Sequence, residues 1–558
     1  MTDLPLTIAE MVLARSRDQR SGLLTAGASR THAEVGAAAA ARAALLTELR
    51  APGHFHVAFL MDNVDEFILW LQATALAGAV MVGGNTTHRG DDLVRDLTHT
   101  ECQLVVVSAS FLPLIDGRDL GSPVGTVRRG NRRVLVVDDE DYHGRLRDLG
   151  AVSAADVADP TIGPDRLGYL IFTSGTSGAP KACRCTQGRL ARIGNKASEM
   201  FGLSPADIVY LAMPLFHSNA LMAGWAPALA AGSTIALPTT GRFSASGFLP
   251  DVRRFGVTYF NYVGKPLSYV LATPERPDDT DNSLRLVFGN EAAPGDVGRF
   301  SERFGCPVVD SYGSTEGGAS VSRTADTPPG ALGPAGEGIL VLDPATGEER
   351  ALARFDERGR LLNADEAIGE MVSTKGGADF EGYWRNDEAE SARVRQGWYW
   401  TGDLVYKDAD GFLHFAGRDQ EWLRVDGENF AVAPVERILM RHPDVVLAAV
   451  YAVPDPAVGD QVMAALQLLG DVEWDAEGFA SFLEAQEDLG TKWSPRFVRI
   501  CAELPLTATS KVLKRALREE RWHGPDPIWW RPVPTGGYRR LTPEDAAELD
   551  RAVGDRVA

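Results

Sequence analysis

Cysteine is scarce and scattered in this chain, five in 558 residues (Cys102, Cys183, Cys185, Cys306 and Cys501). So thin a set excludes a disulfide framework and points to a reducing compartment, so a cytoplasmic location is expected. Cys183 and Cys185 stand two apart, but the neighbouring sequence supplies no His/Cys cluster to complete a zinc site. Positive charge is short too: 56 Lys and Arg face 76 Asp and Glu, a formal charge of −20. That balance argues against nucleic-acid partners, and a site for an acidic nucleotide must concentrate its positive charge locally or use Mg²⁺. The opening MTDLPLTIAEMVLARSRDQR carries acids early and has no apolar core of signal-peptide type. Long hydrophobic runs are almost missing. The charge-free Phe67–Gly84, FILWLQATALAGAVMVGG, tests the membrane question. Gly78 and the paired glycines at its end divide it into a helix and a short buried strand, and it has no basic flank. No stable membrane span is expected. Internal repeats, low-complexity tracts and the Walker-A pattern GxxxxGK[ST] are absent as well.

What is present is length and an alternating grammar. A chain of 558 residues invites two or more domains, each with its own core. Helix-like and strand-like runs alternate through the first third. Thr31 to Arg50 reads as an alanine-rich helix and HVAFLM (His56–Met61) as a buried strand. A helix from Val64, a strand at Val80, the helix THRGDDLVRDLTH and the strand QLVVVSAS follow. Strands separated by helices of this length imply parallel sheets covered on both faces. The basic run VRRGNRR (Val127–Arg133) reads as a solvated turn. Farther on, LRLVFGN (Leu284–Asn290), the helix PGDVGRFSERFG and the strand PVVDSYG (Pro307–Gly313) form a βαβ unit. Ligands in such sheets sit beyond the carboxyl ends of the strands. From about Thr327 to Arg360 the composition shifts to Pro, Gly and short strands, as in a smaller β subdomain. A boundary is expected near Gly417–Gln420, giving a large domain over 1–417 and a small α+β domain over 418–558.

The stretch Ile171–Lys181, IFTSGTSGAPK, sets four hydroxyl residues (Thr173, Ser174, Thr176, Ser177), two glycines (Gly175, Gly178) and a lysine (Lys181) behind an apolar run from Leu167 to Phe172. Glycines let backbone N–H groups approach an anion, hydroxyls add donors, and the lysine adds a compact positive charge. The chemistry that fits is a grip on a triphosphate. The strand ends of the βαβ unit add Asn290 and Glu291, then Asp310, Tyr312, Thr315 and Glu316.

IFTSGTSGAPK resembles the phosphate-binding signature of the adenylate-forming enzymes (acyl-CoA synthetases, luciferases and peptide-synthetase adenylation domains). Four further stretches match that family in order. DSYGSTEGG (Asp310–Gly318) resembles its YGxTE motif, which implies Tyr312 for adenine stacking, Thr315 for a phosphate and Glu316 as a hard oxygen ligand for Mg²⁺. In YWTGDL, Asp403 resembles the carboxylate that holds both ribose hydroxyls, and Arg418 in AGRD resembles the arginine that reaches the nucleotide. In VDGENFAVAPVE, Gly427 resembles a loop lining the channel for a pantetheine arm. PLTATSKVLKR (Pro505–Arg515) resembles PxTxTGK, so Lys511 matches the lysine that drives adenylation by offsetting charge on phosphate oxygens. Lys514 and Arg515 read as solvated helix residues.

The resemblance implies two steps: AMP transfer from ATP to an oxyanion with loss of pyrophosphate, then displacement of AMP by a nucleophile, typically the CoA thiol. The small domain would rotate between steps. Ser510 replaces the usual glycine before the catalytic lysine, Ala182 follows the phosphate-loop lysine where glycine is common, and Gln420 holds the hinge position. AGRDQEWLRVDGENFA is closer to the bacterial fatty-acyl-CoA ligase and fatty-acid-transport-protein branch. The acid pocket is expected near PLFHSNALMAGWAPALAAG, FNYVGKPLSYVL and FGNEAA, with His217, Asn219, Trp225, Tyr262 and Gly289 as candidate liners. The leading expectation is an acyl-CoA ligase acting on a medium- or long-chain or aryl acid. The alternative within the same superfamily is a diazotase-type enzyme of natural-product biosynthesis that activates nitrite for attack by an arylamine, without CoA. A non-catalytic nucleotide-binding scaffold is the third, against which Glu316, Asp403, Arg418 and Lys511 together argue.

Overall fold

The computed structural model describes residues 4–88, 90–173, 180–292, 294–357, 361–418, 422–425, 428–455, 459–470, 472–486, 488–490, 492–507, 512–533 and 536–557. Within them the chain forms four sheets. The charge-free stretch shows how the first two are joined. Asp65–Ala77 is a helix, Gly78 ends it in the left-handed conformation (φ 65°), and Val80–Gly83 follows as a strand. Every residue from Phe67 to Ala77 is buried. This run has no charge because both of its faces meet protein, and a helix apolar all round belongs in a core. Among the described residues no helix is long and apolar enough to cross a membrane. The alanine-rich helix His32–Leu49 packs beside it. Thr31 and Glu34 close a reciprocal capping box at its start, satisfying two otherwise orphaned N–H groups.

A six-stranded sheet runs in the order Val134–Val136, Leu104–Val107, His56–Leu60, Val80–Gly83, Leu167–Phe172, Ala182–Thr186. Its first five strands are parallel and the last is antiparallel. The glycine- and hydroxyl-rich loop therefore connects two adjacent strands, its stem closed by Thr173 N–H donating to the Lys181 carbonyl at 3.0 Å. The eight-stranded sheet has a parallel centre, Val308–Gly313, Leu286–Asn290, Tyr259–Val263, Ile208–Tyr210 and Thr234–Ala236. One continuous apolar core, including Phe59, Trp70, Tyr169, Trp225 and Phe260, serves both sheets.

The β subdomain is larger than the composition shift implied. Its antiparallel sheet spans Gly333–Pro334 to Phe412–Arg418 and is built on the long strand Trp398–Lys407. Pro and Gly mark its loops, whereas its main strands lie beyond Arg360, in the YWTGDL region. C-terminal to it, Val445–Asp455, Gly459–Leu468, Phe497–Cys501 and Ile528–Trp530 form the centre of a mixed sheet covered by Val432–Leu439, Ala476–Glu484 and Pro543–Val557. Tyr269 of the large domain packs against this sheet's core.

Candidate active site

The strand Val308–Gly313 ends at a loop, Ser314–Ala319, before the chain returns as Ser320–Ser322. Two glycines let that loop lie where it does. Gly317 has φ +74°, and a Cβ there would stand 2.4 Å from Arg189 Nη2. A Cβ on Gly318 would stand 2.2 Å from the Tyr399 ring. The buried Arg189 donates from Nη2 to the Thr315 carbonyl at 2.8 Å and from Nη1 to the Arg184 carbonyl at 3.1 Å. Thr315 Oγ1 sits 2.7 Å from Ser218 Oγ. Glu316 is buried, and its Oε1 accepts the Tyr383 hydroxyl at 2.7 Å. Lys181 is half-buried: burial and the nearby Arg393 lower its pKa, and Glu316 raises it. Lys181 and Glu316 are thus close enough for the carboxylate charge to act on the ammonium.

The other expected residues gather beside this corner. Tyr312 donates to Asp403 Oδ2 at 2.5 Å, drawing the end of one sheet against the β subdomain. Asp403 pairs in register with Arg418 across the antiparallel strands. Asn290 donates to the Ser311 carbonyl at 2.7 Å. Asn219 donates to the Tyr262 carbonyl at 2.9 Å and accepts from Asn261 at 2.7 Å. Glu291 is exposed and holds φ +66°, a conformation side chains adopt at a cost of about 1–3 kcal/mol, typical of ligand sites. Tyr262, Gly289 and Asp310 lie in one row across three parallel strands. The Tyr262 ring passes over Gly289, where a Cβ would lie 2.6 Å from it, and its hydroxyl donates to Asp310 Oδ2 at 2.6 Å. Ala292 N–H donates to the same oxygen at 3.0 Å. Burial pushes the Asp310 carboxyl up to about 6, with the Glu291 charge adding to the rise and the two hydrogen bonds opposing it.

Two of the candidate pocket liners are fully enclosed by protein. Trp225 and Tyr262 are 0% exposed, so both are packed side chains in this structure. Trp225 ends a π-helical turn, Ala220–Trp225, and stands edge-on to Tyr169. His217 is half-buried against Phe216. Lys514, expected to be solvated, is partly buried and paired with Glu436 at 2.9 Å. Ser174, Gly175, Thr176, Ser177, Gly178 and Lys511 lie outside the described residues, as do Gln420, Gly427 and Ser510.

Sequence reasoning missed Arg189, Ser218 and Tyr383. Arg189 lies in a helix of ordinary pattern, Gln187–Met200. Its one sequence signal is a charge among apolar and small neighbours, at a position the fold buries. The donor set fits Mg²⁺: Tyr383 donates to Glu316 Oε1, and the second carboxylate oxygen is of the hard type that would hold this ion. Mg²⁺ is commonly held by one or two carboxylates plus phosphate oxygens.

The family model described as AMP-binding enzyme matches residues 13–384, and that described as AMP-binding enzyme C-terminal domain matches residues 434–511. The chain is 50% identical over 549 residues to a steroid-22-oyl-CoA synthetase of Rhodococcus jostii, covering 98% of this chain and 97% of that protein. It is 46% identical over 536 residues to the medium/long-chain-fatty-acid–CoA ligase FadD17 of Mycobacterium tuberculosis, covering 95% and 99%. Among solved structures it resembles an anthranilate CoA ligase, AuaEII, in complex with anthranoyl-AMP, with a TM-score of 0.78 at 23% identity over 93% of this chain and 98% of that one. ATP-bound MatB from Rhodopseudomonas palustris gives a TM-score of 0.76 at 25% identity over 92% and 99%.

Proposed function

The chain belongs to the AMP-binding enzyme family, and from that premise we propose how its residues divide the work and which acid they serve. The protein is an AMP-forming acid–thiol ligase. It uses ATP to convert a carboxylic acid to an acyl-AMP with release of pyrophosphate, then forms the CoA thioester. Relatives named as CoA ligases favour this route over nitrite activation.

The observation that supports the division of roles is the corner where Thr315 meets Ser218 and Glu316, held by Tyr383, lies within electrostatic reach of Lys181, with Tyr312 tied to Asp403 beside them. Lys181 and the loop it closes bind the triphosphate. Tyr312 offers a ring face to adenine, and Asp403 and Arg418 take the ribose. Glu316 and Thr315 would hold Mg²⁺, which when bound supplies positive charge to the phosphate oxygens. Thr315 orients the α-phosphate toward the carboxylate. Lys511 is carried by the segment 418–558, which we treat as the second domain, and offsets charge as the phosphorus–oxygen bond to pyrophosphate breaks. Little covalent work falls to the protein, so positioning accounts for most of the rate.

For the acid we propose a bulky apolar carboxylate of the steroid side-chain type. The support is the 50% identity, nearly end to end, to a steroid-22-oyl-CoA synthetase. The test is acyl-CoA formation and AMP release with a C22 steroid carboxylate, C8–C16 fatty acids, aryl acids, and nitrite with an arylamine, each with and without CoA. The steroid acid should give the highest kcat/KM, and preference for a straight-chain acid would overturn the substrate assignment. In the same assay Lys511→Ala should abolish acid-dependent ATP–pyrophosphate exchange; unchanged exchange would overturn the role of Lys511.

A further inference from the structure

The segment Glu381–Asn386 runs antiparallel along the stem of the phosphate loop. Arg184 N–H donates to the Gly382 carbonyl at 3.0 Å, Trp384 N–H donates to the Ala182 carbonyl at 2.8 Å, and Cys183 bridges Tyr383. Asn386 Nδ2 donates to the Pro180 carbonyl at 3.2 Å. The two oxygens of Glu381 accept from Thr186 N–H and Oγ1, each at 2.7 Å. The Trp384 indole stands edge-on to His54 and His56, with ring centroids 4.8 and 4.7 Å away. Backbone and side chains therefore fasten this strap to the strand that leaves the loop.

Tyr383 is the strap residue that turns inward. It is 2% exposed, its ring packs against Phe380 at 5.0 Å, and Tyr399 belongs to the same apolar cluster. That packing restricts the ring to one orientation, and its hydroxyl donates to Glu316 Oε1 at 2.7 Å. We propose that Tyr383 is the positioning residue of Glu316, setting where this carboxylate stands relative to the stem along which the strap runs. The inference rests on the reading of Glu316 as the metal-holding carboxylate. Tyr383 itself touches no reacting atom. Its hydroxyl engages one oxygen and so directs the other toward the phosphates, without leaving the carboxylate to choose among rotamers. Partners of ligating groups commonly alter metal affinity by about 10–100-fold when removed.

The experiment is equilibrium binding of a fluorescent ATP analogue to the full chain, titrated with Mg²⁺, for the wild type, Tyr383→Phe, Glu316→Gln and the double variant. Removing the hydroxyl alone keeps the ring, so the fold is retained. Phe380→Leu, which loosens the same cluster without touching the hydroxyl, is the packing control. Tyr383→Phe should raise the Mg²⁺ concentration for half-maximal nucleotide binding about tenfold, with Mg²⁺-free binding unchanged. Glu316→Gln should raise it at least as much, and the double variant should add nothing to Glu316→Gln. Phe380→Leu should lower the melting temperature and move the Mg²⁺ midpoint less than Tyr383→Phe, because the hydroxyl remains; an equal or larger shift would assign the effect to packing and overturn the inference. A Tyr383→Phe titration that overlays the wild type while Glu316→Gln shifts would overturn the inference, and so would additive shifts in the double variant. An unshifted Glu316→Gln would instead overturn the assignment of Glu316 beneath it.

Discussion

Two buried tyrosines at this site donate to carboxylates at nearly equal distance, Tyr262 to Asp310 at 2.6 Å and Tyr383 to Glu316 at 2.7 Å. They are built in opposite ways. Tyr262, Gly289 and Asp310 occupy one register row of a single parallel sheet, so the backbone ladder alone brings ring and carboxyl together. Tyr383 and Glu316 come from separate segments that meet by packing, through the Phe380–Tyr399 cluster and the bonds of the strap. A pair held within a sheet cannot move without breaking the ladder. A pair made between packed segments can be retuned by changes in either segment. The rigid pair lies one register position from Asn290, and the packed pair holds the carboxylate we propose for Mg²⁺.

The comparison can be broken most severely at Gly289. Gly289→Val puts side-chain atoms where the Tyr262 ring and carbonyl already stand. It should destabilise the protein by about 3 kcal/mol, the upper end for overpacking, as read by denaturant unfolding. The packed corner should be weaker to perturbation. Arg189→Met removes the donor to the Thr315 and Arg184 carbonyls. A cost of about 2 kcal/mol in the same unfolding measurement is expected for carbonyls left unpaired, with a larger fall in ATP–pyrophosphate exchange than in stability. The third effect is a pH signature. Burial and then the Glu291 charge lift Asp310 to about 6 from its ordinary 3.8, against the two hydrogen bonds it accepts. A carboxyl raised on folding favours the folded state while protonated. Its contribution is complete below about pH 4 and is lost as pH rises through about 6. Asp310→Asn should therefore gain stability relative to the wild type between pH 4 and 6.5 in thermal melts at stepped pH. Parallel curves would show that Asp310 is not the titrating group.

Much of this site was legible in the linear chain because its chemistry travels in short contiguous strings. Tyr312, Thr315 and Glu316 lie within one strand and the loop after it, Asp403 and Arg418 pair in register in one hairpin, and Thr173 and Lys181 belong to one short string whose stem they close. Helix and strand alternation was equally legible, since the burial that produces it repeats locally, as in the fully buried run Phe67–Ala77. The extent of the β subdomain was not. Its long strands sit inside motifs that were read for their chemistry, while Pro and Gly flagged the loops between shorter ones.

The amino-acid sequence by itself determined the family chemistry, the parallel α/β architecture and the identity of the charged groups, because each is written in neighbouring residues. Only the tertiary structure decided that Arg189 holds the Thr315 carbonyl, that Ser218 meets its hydroxyl and that Tyr383 holds Glu316. It likewise decided that Trp225 and Tyr262 face packed protein. Those partners are 67 to 126 residues apart along the chain where they bond. Their encounter depends on how sheets and segments pack, a property of the whole core rather than of any local pattern.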